Sequence, residues 1–138
     1  MPFELDLPIH YASIDYARIV YYPQFVHFCH VTKEEMFPEV VGRTYADLLQ
    51  EDGLGYPTVK SEAEFLAPVA YGERLTMTMA VERIGTSSVD FRYEGRRQSD
   101  GVLAFRVRNT EVCIDMEAWK PHPIPDSHRT AFEAIRLD

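Results

Sequence analysis

The sequence predicts an α+β fold in which one long helix and an antiparallel sheet occupy separate layers. Three observations carry this reading: an alternating stretch at the start, a helical stretch opened by Pro23, and alternating segments from Tyr56 onward joined by turn dipeptides. With 138 residues, the chain can bury one core and is too short for two. It reads as a single domain over 1–138, with its core at about 3–116 and a proline-rich tail and last helix at 120–138.

Phe3, Leu5, Leu7 and Ile9 alternate with Glu4, Asp6, Pro8 and His10, so Phe3 to Tyr11 reads as a half-buried strand, with Pro8 marking an edge. An irregular stretch, Ala12 to Tyr22, follows. Pro23 suits a first helical position because its missing N–H is not needed there. Phe25, Phe28, Cys29 and Met36 then recur at helical spacing, and Pro38 discourages continuation, which ends the helix at about Phe37. Phe25, Val26, Phe28, Cys29, Val31 and Met36 spread widely around it, as a central helix under a sheet requires.

Thr44 can cap a short helix over Tyr45 to Glu51, ended by Asp52-Gly53. Val59, Ser61, Ala63 and Phe65 alternate with Lys60, Glu62, Glu64 and Leu66 in a strand that breaks at Ala67 to Gly72. Runs around Arg74 to Ile84, Ser87 to Gln98 and Val102 to Asp115, joined by Gly85-Thr86 and Asp100-Gly101, make an antiparallel meander. Lys120 to Pro125 holds too many prolines for strand or helix, and Asp126 or Ser127 can cap a last helix through Ile135.

Composition narrows the function. With 22 acidic against 14 basic residues the net charge is -8, which repels nucleic acid. No segment supplies the roughly 18 consecutive apolar residues of a membrane helix. The start, MPFELDLPIH, lacks the basic and apolar regions of an export signal, so a cytoplasmic location is expected. Cys29 and Cys113 read as reduced, buried, small apolar residues. His27, Cys29 and His30 lie close together on the helix, but nothing supplies further ligands at metal spacing, and neither metal nor cofactor is expected. Glu34 and Glu35 read as helix-surface charges, and Glu62 and Glu64 as one strand face.

Asp15 is a lone carboxylate in an apolar, aromatic segment just before the helix start. Partial burial there would disfavour ionisation and make it a better base or nucleophile. The N–H groups and positive dipole end of the helix suit polarisation of a carbonyl. Together these groups could perform acyl transfer. The same placement also suits an Asp that simply caps a turn.

Asp15-Tyr16-Ala17-Arg18-Ile19-Val20-Tyr21-Tyr22-Pro23-Gln24-Phe25 resembles the signature of the 4-hydroxybenzoyl-CoA thioesterase family of hotdog-fold proteins. Gly55 to Val59, and Phe65 through Gly72 to Leu75, are similar to that family's second strand and its turn. The resemblance covers roughly residues 3 to 116. It implies a hotdog fold, an antiparallel sheet wrapped around a long central helix. It also implies hydrolysis of an acyl-CoA, or an acyl-carrier thioester, to a carboxylic acid and a thiol. Asp15 matches the catalytic carboxylate, as nucleophile or as general base toward water. Tyr22 matches the residue whose backbone N–H polarises the thioester carbonyl. Tyr11 matches a tyrosine beside the carboxylate, Tyr21 and Phe25 would line the acyl pocket, and Val59 in the second strand would join them. The resemblance implies a homodimer with the cleft between subunits, commonly paired into a homotetramer.

One departure stands out: Arg18 occupies a position where the family usually has Gly, which permits positive φ. The turn is then either rebuilt or altered at the pocket mouth, and Arg18 either pairs with Asp15 or reaches toward an acidic substrate. Arg92, Arg96 and Arg97, with Arg106 and Arg108, place positive charge on the last two strands. They could hold the phosphates of coenzyme A, which is part of the substrate and not a cofactor. Equally, they could form a solvated face paired with Glu82, Glu94 and Glu111. Two other functions bear comparison: a non-catalytic acyl-thioester binder, for which Arg18 argues, and a hotdog dehydratase or hydratase, which would want a His paired with an Asp or Glu across the cleft, where no His precedes the helix at the matching position.

Overall fold

Alternation of apolar and polar side chains lays about a third of this chain into an antiparallel sheet whose inner face carries one helix. In the computed structural model, which describes residues 1–137, the elements in chain order are β1 (Phe3–Pro8), a 3-10 turn (Tyr11–Ser13), α1 (Pro23–Met36), a π turn (Phe37–Val41), α2 (Tyr45–Gln50), β2 (Leu54–Gly55), β3 (Thr58–Phe65), β4 (Arg74–Ile84), β5 (Ser88–Arg97), β6 (Leu103–Val112), β7 (Ile114–Asp115), β8 (Lys120–Pro121) and α3 (Asp126–Ala134). Five strands form the main antiparallel sheet in the order β1-β4-β5-β6-β3, and β2-β7-β8 form a small second sheet. α1 packs on the main sheet against β1, β4 and β6. This is the α+β hotdog architecture that the sequence implies. No helix among the described residues is long and apolar enough to cross a membrane.

Several element boundaries differ from the sequence reading, each for a local reason. The first strand stops at Pro8, and Tyr11–Ser13 turns as a 3-10 helix. Pro38 does not stop the chain from coiling: a wide π turn absorbs it and closes on Gly42, whose N–H reaches Phe37 O at 3.0 Å with φ of 84°. The run from Val102 to Asp115 splits at Cys113, its last two residues joining the small sheet. Lys120–Pro121 pairs there too, despite the prolines around it. Val26 is 39% exposed, so α1 is open on one flank.

The tail is part of the core. Phe132 of α3 meets Phe91, Tyr56 and Phe37 at ring separations of 5.3, 5.6 and 6.4 Å. Leu137 N–H and Val81 O bond at 2.9 Å, tying the C-terminus to β4.

Two details of the sheet shape its inner face. Between Thr58 and Lys60 the β3–β6 register shifts, leaving Val59 as an extra residue: Thr58 opposes Glu111, Lys60 opposes Thr110 and Ser61 opposes Asn109. Thr58 and Ser61 therefore share the helix side, while Lys60, Glu62 and Glu64 face away. Gly95 is required by close packing, because a Cβ there would collide with the Phe105 ring. That ring stacks on Phe25 of α1 at 4.4 Å.

Candidate functional site

Asp15 sits in a narrow turn closed by its own chain. Arg18 N–H bonds to Asp15 O at 3.0 Å, Asp15 N–H to Ile19 O at 3.0 Å, and Ala17 N–H to the Asp15 carboxylate at 2.8 Å. The turn is docked by Val20 N–H to Val69 O (2.8 Å) and by Tyr21 N–H to Ser13 O (2.9 Å). Asp15 is exposed in the single chain, not partly buried as the apolar neighbourhood suggests, because Tyr16, Ala17 and Arg18 also point to solvent. Arg18 has φ of 69°, so it adopts the glycine-like conformation and the turn is not rebuilt. Among the described residues its guanidinium enters no ion pair, and the Asp15 carboxylate is held by a backbone amide instead.

The turn delivers Tyr21 and Tyr22 to the start of α1. Gln24 N–H bonds to Tyr21 O at 2.8 Å and Phe25 N–H to Tyr22 O at 3.1 Å, whereas the Tyr22 N–H has no partner among the described residues. Side chains beside it form an aromatic wall. Tyr21 meets Tyr22 at 5.4 Å, Tyr22 meets Phe65 at 5.3 Å, and Phe65 stacks on Phe25 at 5.9 Å. Phe25 is buried, while Tyr21, Tyr22 and Phe65 are about half exposed. Tyr11 leans on Tyr71 at 5.6 Å and is exposed, as is Val59 on the outer edge of β3. The structure thus gathers Asp15, Tyr21, Tyr22 and Phe25 at one end of α1, and adds Phe65. Sequence reasoning passed over Phe65, although its place on the helix-facing side of β3 follows from the alternation there.

Arg92, Arg96 and Arg97 do not converge. Arg92 lies on the outer sheet face between Glu94 (3.3 Å) and Glu82 (3.7 Å), in a network with Arg106 on Glu94 (2.9 Å) and Arg108 on Glu82 (3.0 Å) and Asp90 (3.0 Å). Burial alone would push the Asp90 carboxyl up, but bonds from Thr110, Arg83 and Arg108 together outweigh it and leave it below the ordinary value. Glu94 is held down in the same way by Arg106 and Arg92. Arg97 pairs with Asp100 at 2.6 Å and donates to Pro68 O at 2.9 Å, bracing the turn that holds Val20. Arg96 is exposed and enters no ion pair among the described residues.

Glu111 is not part of that outer face. It is buried beneath α1, where Lys33 Nζ lies 2.9 Å from Oε1 and Thr58 Oγ1 donates to Oε2 at 3.1 Å. Lys33 also donates to Tyr56 O at 2.7 Å. Burial raises the Glu111 carboxyl above its ordinary value against the pull of Lys33. Of the three helix residues weighed for metal, Cys29 is buried with its thiol pushed up by burial, and His30 pairs with Glu34 at 2.7 Å on the surface.

Comparisons with known proteins agree with this fold. The family model described as the thioesterase-like superfamily matches residues 9–132, which takes in most of the tail that the resemblance omitted. A 1,4-dihydroxy-2-naphthoyl-CoA hydrolase of Thermosynechococcus vestitus is 26% identical over 86% of this chain and 80% of its own. One from Nostoc punctiforme is 24% identical over 100% and 91%. Among solved structures, a thioesterase superfamily protein from Jannaschia superposes with a TM-score of 0.91 at 26% identity, covering 99% of this chain and 94% of its own. A 1,4-dihydroxy-2-naphthoyl-CoA thioesterase from Synechocystis superposes at 0.87 with 23% identity, covering 96% of each chain. By fold and by the match over 9–132, the chain belongs to the thioesterase-like superfamily.

Proposed function

We propose that this protein is an acyl-CoA thioesterase with a site of the 4-hydroxybenzoyl-CoA thioesterase kind, built from Asp15 and the Tyr22 amide. The observation that carries this reading is the shared location of the Asp15 turn, the unpartnered Tyr22 N–H and the aromatic wall at one end of α1. The thioester carbonyl accepts from the Tyr22 N–H. Asp15 either takes a proton from water as that water attacks the carbonyl carbon, or attacks the carbon itself. The tetrahedral oxyanion gains most from the amide, and its collapse breaks the C–S bond and expels the coenzyme A thiolate, which takes up a proton; where Asp15 is the nucleophile, water then cleaves the resulting acyl–Asp15 anhydride, releasing the carboxylic acid and restoring the carboxylate. Tyr21, Phe25 and Phe65 hold the acyl group, with Tyr11 and Val59 at the margins. Arg18 and Arg96 stand exposed, suited to the phosphates of coenzyme A. Aryl acyl groups fit the wall best, and the naphthoyl-CoA hydrolases among the relatives support that choice.

We also propose that the single domain works as a cytoplasmic homodimer, with two dimers pairing into a tetramer. All eight residues of β3 are exposed in the single chain, and β3 is a sheet edge, the kind of surface that natural proteins cover. A second copy there would also desolvate Asp15. Two free buried thiols, Cys29 and Cys113, accord with a reducing compartment.

The test is release of free thiol from aryl, short and long acyl-CoAs, with an acyl-carrier thioester alongside, by the wild type and by Asp15→Asn. The variant keeps a side-chain oxygen for the Ala17 amide but loses the charge. Turnover of aryl substrates is expected, falling about 100-fold or more in the variant. No turnover of any thioester, or an unchanged rate in Asp15→Asn, refutes the assignment.

A further inference from the structure

We propose that Ser13 and Gln24 are positioning residues for thioester hydrolysis: their side chains clamp the Asp15 turn to the start of α1 and so fix the carboxylate and the Tyr22 amide relative to each other. The inference rests on the reading that these two groups carry the reaction. It adds two residues that never touch the thioester.

The clamp is a closed ring of three hydrogen bonds. Ser13 O accepts the Tyr21 N–H at 2.9 Å, Tyr21 O accepts the Gln24 N–H at 2.8 Å, and Ser13 Oγ donates to Gln24 Oε1 at 3.2 Å. A peptide unit is planar, so the Tyr21 C=O and the Tyr22 N–H point in opposite directions from one rigid plane. Holding the Tyr21 oxygen therefore aims the Tyr22 N–H. Ser13 is tied to the 3-10 turn before it by its own N–H, which His10 O accepts at 3.0 Å. From Ser13 to Tyr21 the chain leaves and returns as a loop, and Asp15 is tied across it by its N–H to Ile19 O (3.0 Å). The reacting carboxylate lies inside that loop and the reacting amide just beyond its end. The Ser13–Gln24 bond fastens the base of the loop to α1.

The Ser13 hydroxyl does more than a serine in a turn requires. Such a hydroxyl ordinarily bonds the backbone of its near neighbours. Here it reaches a helix side chain 11 residues away. Ser13 is buried and Gln24 half-buried, so water competes poorly for the bond. The pair also stands apart from the aromatic wall. Its side chains line a cavity of about 460 Å³ between β1 and α1, together with Leu5, Leu7, Phe28 and Val31. None of the wall's rings, those of Tyr21, Tyr22, Phe25 and Phe65, lines that cavity. Losing the clamp therefore changes the aim of the reacting groups and removes no surface that holds the acyl group. Such a change lowers kcat and spares KM.

The test is steady-state hydrolysis of benzoyl-CoA, or of whichever acyl-CoA the wild type turns over faster. It compares the full chain with Ser13→Ala, Gln24→Met, the double variant, and Ser13→Thr, which keeps the hydroxyl and has the cavity beside it to take the added methyl. Each of the first two variants is expected to lose about fivefold or more in kcat with KM within about twofold. The double variant should lose no more than the worse of them, and Ser13→Thr should recover most of the loss. Hydrogen exchange at the Tyr21 and Gln24 amides should quicken about threefold or more in Ser13→Ala and Gln24→Met, with the Phe91 and Tyr93 amides unchanged. Unchanged kcat in either variant, a loss that falls on KM alone, or losses that multiply in the double variant overturn the proposal. So does exchange that is unaltered at Tyr21 and Gln24, or quickened throughout the molecule. A wild type that hydrolyses no thioester refutes the hydrolase reading instead, and the exchange rates then decide whether the clamp fixes the Tyr21 peptide.

Discussion

Lys33 Nζ and Glu111 Oε1 lie 2.9 Å apart inside the protein, with 5% and 1% of their side chains exposed. Removing one partner strands the other charge. Lys33→Met is therefore expected to lose about 3–5 kcal/mol, and the double variant Lys33→Met/Glu111→Leu to regain most of it. Urea denaturation of the set measures this, and additive losses would show that the pair is not coupled. The pH dependence has a definite sign. Burial raises the folded carboxyl of Glu111 above its ordinary value of 4.5, so the folded state holds that proton more tightly than the unfolded chain. Its stabilising contribution is fully present below that value and is lost as pH rises through the folded one. Glu111→Gln should abolish this part of the acid profile.

His128 behaves in the opposite sense. Its ring lies 2.8 Å from the Tyr56 hydroxyl and is buried, and that burial lowers its pKa below 6.5. The neutral ring contributes stability above pH 6.5 that disappears as pH falls through the lower folded value. Unfolding free energies measured from pH 7.5 to 5 should decline for the wild type, and less steeply for His128→Gln.

Arg97 is expected to act on Asp15 from a distance. Its guanidinium holds Pro68 O at 2.9 Å, and the next residue accepts the Val20 amide that docks the Asp15 turn. Arg97→Ala should lower stability by about 1–2 kcal/mol. It should also speed hydrogen exchange at Val20 N–H more than at amides in the middle of β5. Uniform acceleration would mean that the brace is not local.

Arg18 holds φ of 69°, a conformation that disfavours side chains by roughly 1–2 kcal/mol. Arg18→Gly should be neutral or raise stability by up to about 1 kcal/mol, since the freer unfolded chain offsets part of the relief. Arg18→Val should lower it by more than 1 kcal/mol on the same scale. If Arg18→Gly gains hydrolysis that the wild type lacks, the natural protein is a thioester binder.

Local patterns made the meander, the Pro23 helix start and the Thr44 cap legible; Thr44 does accept from Asp47 N–H at 3.0 Å. The Asp15 turn was legible as a motif, but its exposure was not, because apolar neighbours in sequence do not ensure burial. What escaped were relationships between distant residues. Glu111 reads as part of a solvated arginine face, and nothing in the sequence links it to Lys33 until the fold brings the two together. The arginines on β5 and β6 read as a cluster, although strand alternation sends Arg92, Arg106 and Arg108 to the outer face, beside carboxylates from other strands. Phe132 belongs to the core only because α3 folds back over Phe91 and Tyr56, a return that no proline count in the tail reveals.

The extra residue at Val59 works as a shim. Beyond it, Lys60 to Phe65 keep step with β6; before it, Tyr56 offers its carbonyl to Lys33 and Thr58 its hydroxyl to Glu111. Without Val59, the backbone could satisfy one of these halves and not the other. The loss of a single codon would leave every strand in place and yet unfasten the helix that carries the Tyr22 amide.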